Sequence, residues 1–233
     1  MVWIQRYHCL MSLRKEQFAV GEFYHVYSRG VDKRVIFDDT YDKVRFQALL
    51  YLCNGEKSVV MRNIKDGGWF SVHHKQKPIV SIGAYCLMPN HFHLLVREIV
   101  EGGLSKFIQK LNTSYSMYFN AKNERKGALF ESAFQSKHIT DDVYFNHLFS
   151  YIHLNPLSIQ FPEWKKGIVH KELATTFLES YPYSSLMDYK TDMHREESII
   201  LKPDDFPKQD INYEEMMESY QSWIDFVNEQ NKK

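Results

Sequence analysis

Residues 23–28, Phe-Tyr-His-Val-Tyr-Ser, are dominated by aromatic and β-branched side chains, which predicts a strand closed by Arg29-Gly30. Asp38-Asp39-Thr40 then offers capping side chains ahead of residues 41–52. There Val44, Leu49 and Leu52 fall on one helical stripe, and Asn54-Gly55 stops it. Residues 56–78 are polar and contain glycine, so a long loop or hairpin insert is expected. Val80 to Met88 is apolar and strand-like, and Met88-Pro89-Asn90 marks a turn. His91 to Arg97 follows as a second strand, antiparallel to the first if that turn is tight. Gly102-Gly103 and Ser105 introduce a helix to about Asn120, with Leu104, Phe107, Ile108, Leu111, Tyr115 and Tyr118 on one face. Ala128 to Ile139 reads as a strand. Asp141-Asp142 caps a helix from Val143 to about Asn155, and Pro156 ends it because the residue before proline avoids the α region. Residues 190–210 are polar, carry Pro203 and Pro207, and read as a linker before a terminal helix over Glu214 to Asn228.

The order β-α-β-β-α-β-α predicts an α+β fold: a ferredoxin-like antiparallel sheet with helices packed on one side, plus a C-terminal helical extension. The length, 233 residues, suits one domain with appendages. We place that domain at 1–190, with its core at about 20–160, and assign 191–233 to the linker and C-terminal helix.

Composition changes this picture little. Hydrophobic residues make up 44% and charged residues 25%, enough for a packed core and against wholesale disorder. The aromatic content, 15%, is accounted for mainly by a core rich in rings, and it also suits stacking on bases. The net charge of zero counts against nucleic acid as a partner, but the distribution is uneven. Arg97, Lys106, Lys110, Lys122, Arg125, Lys126 and Lys137 cluster in the middle. Asp204, Asp205, Asp210, Glu214, Glu215, Glu218 and Asp225 crowd the end. Either an acidic tail sits beside a basic working face or both are ordinary solvated surfaces. Cys9, Cys53 and Cys86 form neither a disulfide framework nor a CxxC metal site. No segment reads as a signal peptide or membrane span, so a soluble, cytoplasmic protein without a membrane partner is expected.

Two local patterns carry candidate chemistry. In His91-Phe92-His93, strand alternation sends both imidazoles to one face and Phe92 to the other, making two ready ligands for a divalent metal. A chance His-x-His with no function has the same pattern. In the later helix, Tyr151 and Asn155 are four residues apart and share a face, offering a phenol and an amide oxygen. A tyrosine on a helix also serves simply as core or surface filler.

Taken together and in order, these pieces resemble the single-tyrosine HUH transposases. Leu87-Met88-Pro89-Asn90-His91-Phe92-His93-Leu94-Leu95-Val96 resembles the family's His-hydrophobic-His strand. Tyr24-His25-Val26 with Ser28-Arg29-Gly30 resembles its first strand, and Arg34, Ile36-Phe37-Asp38-Asp39 and Asp42 its next turn and helix start. Tyr151-Ile152-His153-Leu154-Asn155-Pro156 and Pro182-Tyr183-Ser184-Ser185 resemble the subgroup associated with repetitive extragenic palindromes. The likeness runs from about residue 20 to 190. It implies His91 and His93 as metal ligands, Asn155 as a third ligand and Tyr151 as nucleophile. Tyr115 and Tyr118 compete for the last role but lack the surrounding Tyr-Ile-x-Leu-Asn-Pro context. The implied activity is cleavage and rejoining of single-stranded DNA through a 5′-phosphotyrosine. The implied cofactor is Mg2+ or Mn2+, and the partner is single-stranded or hairpin DNA, with a homodimer as one possible assembly. Arg29, Lys33, Arg34, Arg125 and Lys126 are candidate phosphate contacts, and Tyr27, Phe130 and Phe134 candidate base-stacking rings. The insert at 54–79 and the tail after 190 depart from the compact family pattern. Three rival readings stand beside this one: a domesticated, non-catalytic nucleic-acid-binding protein of the same fold, a water-using metal hydrolase, and a structural protein with satisfied histidines.

Overall fold

The computed structural model describes residues 17–57, 69–70, 76–166, 170–190, 195–209 and 212–230. Its centre is an antiparallel sheet of β1 (Phe23–Arg29), β2 (Val80–Met88), β3 (His91–Glu98) and β4 (Gln135–Ile139), in the spatial order β2-β3-β1-β4. α1 (Thr40–Leu52) connects β1 to β2, and α2 (Gly103–Lys122) connects β3 to β4. This is the ferredoxin-like βαββαβ arrangement that the pattern of elements predicts. Most of the expected insert, 58–68 and 71–75, lies outside the described residues, as does Cys9. Cys53 and Cys86 are buried and free.

Short-range chemistry sets the element ends. The Asp39 side chain accepts from the Asp42 amide at 2.9 Å and caps α1. Asp42 is itself buried, and its carboxylate accepts from Lys122 Nζ at 2.7 Å and Tyr118 Oη at 2.6 Å, tying the start of α1 to the end of α2. Pairing of Tyr27 with His93 and Arg29 with His91 fixes the β1–β3 register. Alternation then sends Tyr24, Val26, Phe92, Leu94 and Val96 into the core under α1 and α2. Phe23, His25, Tyr27, His91, His93 and Leu95 face the other way. A register shift between Ile82 and Ala84 turns Ala84, Cys86 and Met88 to this second face. Gly83 lies at the shift, where a side chain would meet the Phe206 ring at 2.7 Å.

α3 (Asp142–Leu154) covers the second face. Asp141 caps it by accepting from the Tyr144 amide at 2.8 Å, and Tyr144, Phe145, Leu148, Phe149 and Ile152 pack on Ala84, Cys86, Met88, Leu95 and Ile139. The expectation of helices on one side therefore describes α1 and α2, while α3 adds a third layer. Behind α3, a smaller core joins Leu154, Trp164 and residues of α4 (Leu157–Gln160), α5 (Lys171–Ser180), α6 (Leu186–Lys190) and the terminal α7 (Tyr213–Gln230). Among the described residues no helix is long and apolar enough to cross a membrane.

Two sequence expectations need correction. The strand expected over 128–139 forms only at Gln135–Ile139. Leu129 and Phe130 instead turn into the α1/α2 core, Phe130 bridges Gly30, and Asn112 Nδ2 donates to the Ala133 carbonyl. The expected linker over 190–210 is, in its described part, packed against the domain. Ile200 and Leu201 are buried, and the Lys202 amide donates to the Ile82 carbonyl. Arg195 anchors this segment with a bidentate pair to Asp188 (2.9 and 2.6 Å) and a bond to the Pro182 carbonyl (2.7 Å). The Asp188 side chain is 1% exposed. Arg195→Ala strands that carboxylate, and we expect a loss of about 3 kcal/mol, read as a lower urea midpoint. Arg195→Lys restores only part of it because an ammonium lacks the planar fork.

Candidate active site

β3 supplies His91 and His93 to the face that α3 covers, and α3 supplies Tyr151, with Asn155 at its C-cap. All four line one pocket of about 500 Å³, together with His25, Tyr27, Arg29, Glu131, Lys137 and Lys165. The His91 and His93 ring centroids are 4.9 Å apart, and the Tyr151 ring is 5.4 Å from that of His93. Tyr151 clusters with His147 at 6.3 Å and Tyr220 of α7 at 6.2 Å, rings that also stack on each other at 5.6 Å.

The imidazoles are prepared by their neighbours. Asn90 Nδ2 donates to the Lys33 carbonyl at 3.1 Å, which leaves Asn90 Oδ1 to accept from His91 Nδ1–H at 2.6 Å. His91 Nε2 is then a free lone pair. His93 Nδ1 lies 2.9 Å from His25 Nε2, and His93 Nε2 is buried without a partner. With Nδ1–H donated to His25, that nitrogen too presents a lone pair. Burial, reinforced by Arg29 and Lys165, pushes His91 down to about 4. Burial also holds His93 well below its usual range and His25 down to about 3, so the imidazoles stay unprotonated at neutral pH.

These residues fit a divalent ion. Two lone-pair nitrogens face one pocket, and the buried Asn155 amide beside them leaves Nδ2 unpartnered. Among the described residues no three His, Cys, Asp or Glu side chains form a cage, so the set is two imidazoles and an amide, open toward a substrate. Burial raises the Tyr151 pKa, while the adjacent Asn155 amide and Arg29 pull it back down.

The competing tyrosines are elsewhere. Tyr115 is buried in the α1/α2 core with Oη donating to the Ile36 carbonyl at 2.5 Å, and the Tyr118 hydroxyl donates to Asp42. Of the candidate DNA contacts, only Arg29 lines the pocket. Lys33 and Arg34 lie in the turn after β1, where the Lys33 carbonyl accepts from Asn90 and the Arg34 amide donates to the Val31 carbonyl. Arg125 closes the turn after α2 by donating to Asn120 Oδ1 at 2.6 Å, and Lys126 beside it is exposed. Of the proposed stacking rings, Phe130 is core and Phe134 packs against it, while Tyr27 lines the pocket.

Residues 70–155 match the family described as transposase, IS200-like. The match is confined to this segment. It covers just over a third of the chain, from β2 through α3, and so contains His91, His93, Tyr151 and Asn155. Arg29, Lys33 and Arg34 precede it. A solved structure described as the REP-associated tyrosine transposase bound to a REP hairpin is similar at 16% identity and a TM-score of 0.47, over 80% of this chain and 90% of that chain. No curated protein matches the sequence.

Among the pocket residues that sequence reasoning missed are His25 and Lys165, for different reasons. His25 had a signal: it shares the period-2 face of Tyr27, and the β1–β3 pairing brings it to His93. Lys165 had none, because it sits in a 3₁₀ turn (Trp164–Lys166) after the helix that ends at Pro156. His25 yields a direct test. His25→Leu removes the acceptor that orients His93, and Mn2+ affinity is expected to fall by about 10–100-fold. His25→Gln, which keeps an acceptor, is expected to lose less, as measured by manganese electron paramagnetic resonance on the DNA-free protein.

Proposed function

We propose that this protein is a single-stranded DNA endonuclease and strand transferase in which Tyr151 is the nucleophile and His91, His93 and Asn155 hold Mg2+ or Mn2+. The observation that carries this reading is the meeting of a phenol with two prepared imidazoles in one pocket, 5.4 Å between the Tyr151 and His93 rings. The lining of one pocket by all four residues of a single chain supports this reading.

A bound divalent ion would polarise a non-bridging phosphate oxygen and help orient the scissile phosphate. The residues do the rest. Tyr151 supplies Oη in line with the phosphorus, and Arg29 and the Asn155 amide favour its ionised form against the effect of burial. As the Oη–P bond forms, the P–O3′ bond breaks, the phenol loses its proton and the departing 3′-oxygen gains one. The resulting 5′-phosphotyrosine conserves the bond energy, so an incoming 3′-hydroxyl can reverse the step onto another strand. The strand must be unpaired at the cut to enter the pocket, which favours hairpin DNA with a single-stranded flank.

The test is to mix the protein with labelled hairpin DNA and Mn2+ and look for an SDS-resistant adduct whose peptide maps to Tyr151. Cleavage without an adduct would replace the tyrosine by water as nucleophile. Tight binding with neither cleavage nor adduct would make the chain a non-catalytic binder.

A further inference from the structure

We propose that Lys165 is a phosphate-contact residue of the pocket, its ammonium meeting the DNA strand where that strand passes the Tyr151 ring. The proposal rests on the single-stranded DNA reading above and adds the cationic wall of that site. Lys165 lies in the turn after α4, anchored by the buried Trp164, whose Nε1–H donates to Ser158 Oγ at 2.7 Å. Lys165 Nζ is 5.4 Å from the Tyr151 ring centroid and 5.6 Å from that of Trp164. The side chain therefore lies over aromatic surface at the mouth of the pocket while staying exposed to solvent.

The surrounding charges leave this ammonium over. Glu163 pairs with Lys166, Glu214 with Lys171 and Glu179 with Lys190. Glu131 lines the same pocket but makes no ion pair with Lys165, and no other described carboxylate does. An ammonium at the mouth of a pocket with no carboxylate paired to it attracts an arriving anion. Arg29 flanks the imidazoles from the end of β1. A phosphodiester entering here is met by Arg29 from the sheet and by Lys165 from the turn. The pairing of charges thus selects an anionic backbone rather than a neutral ligand.

The test uses the full chain and a fluorescent single-stranded oligonucleotide, titrated without divalent ion across a salt series. Lys165→Met keeps the stem and removes the charge. It is expected to weaken binding about tenfold at low salt and to make the log–log salt slope shallower by about 0.7, the value for one phosphate contact on a single strand. Lys165→Arg is expected to keep the wild-type slope, and so is Lys166→Met. A Lys165→Met slope equal to wild type overturns the proposal, as does an equal change in Lys166→Met, which would reveal only general surface charge. The adduct assay separates the two readings. No wild-type adduct together with a shallower Lys165→Met slope removes the nuclease and leaves the phosphate contact. A normal adduct with an unchanged slope removes the contact alone.

Discussion

Tyr151→Phe is expected to abolish the protein–DNA adduct, with a loss of at least about 10³-fold in its rate of formation. The substitution removes one oxygen and leaves the ring, so the stacking on His147 and Tyr220 and the edge contact with His93 persist. Thermal stability should therefore stay close to wild type, which separates lost chemistry from lost fold. The competing tyrosines give the opposite signature. Tyr115→Phe deletes a buried hydroxyl that donates to the Ile36 carbonyl, at a cost of about 1 kcal/mol in stability, yet the adduct forms. Tyr118→Phe removes one donor to Asp42, which keeps Lys122, and the adduct again forms. An adduct of wild-type yield in Tyr151→Phe sinks the assignment. One that vanishes in Tyr115→Phe while the protein stays folded moves the nucleophile to the other face of the sheet.

The residues that sequence patterns reveal best are those whose placement depends on neighbours a few positions away. The 91/93 imidazoles share a face because a strand has period two, and Tyr151 and Asn155 share one because a helix advances about a turn in four. The starts of α1 and α3 were readable because Asp39 and Asp141 cap adjacent backbone, whereas Asn155 stays in the α region before Pro156, so the end of α3 does not come from proline's restriction of its predecessor. What depends on distant partners was not readable. The polar composition of 190–210 suggests a linker, but three apolar anchors, Ile200, Leu201 and Phe206, and the Arg195–Asp188 pair outweigh it in the described part. The strand expected over 128–139 loses its first half because Leu129 and Phe130 gain more by entering the core than by extending a ladder. The bond between His25 and His93 joins residues 68 apart, and the position of Lys165 depends on how the turn after α4 lies over Tyr151. Both are visible only once the sheet and the third layer are assembled.

Replacing His91 and His93 together by alanine is expected to remove Mn2+ binding from the measurable range and the adduct with it. Each imidazole is held so that an unprotonated Nε2 faces the pocket, one through Asn90 and one beside His25. Disturbing such an outer partner alone costs about 10–100-fold in affinity, so losing both of the nitrogens proposed as ligands is expected to cost far more. His91→Ala by itself is expected to keep weak binding through His93 and Asn155. His93→Ala should be the worse single change, because it leaves the buried His25 Nε2 without its hydrogen-bond partner as well as deleting a ligand. Manganese titration followed by electron paramagnetic resonance reads all three variants without DNA, so the result does not depend on which sequence the protein cuts. Wild-type Mn2+ affinity in the double variant would show that the two imidazoles hold no ion. The phenol at Tyr151 would then stand opposite a pair of histidines with no part in its chemistry.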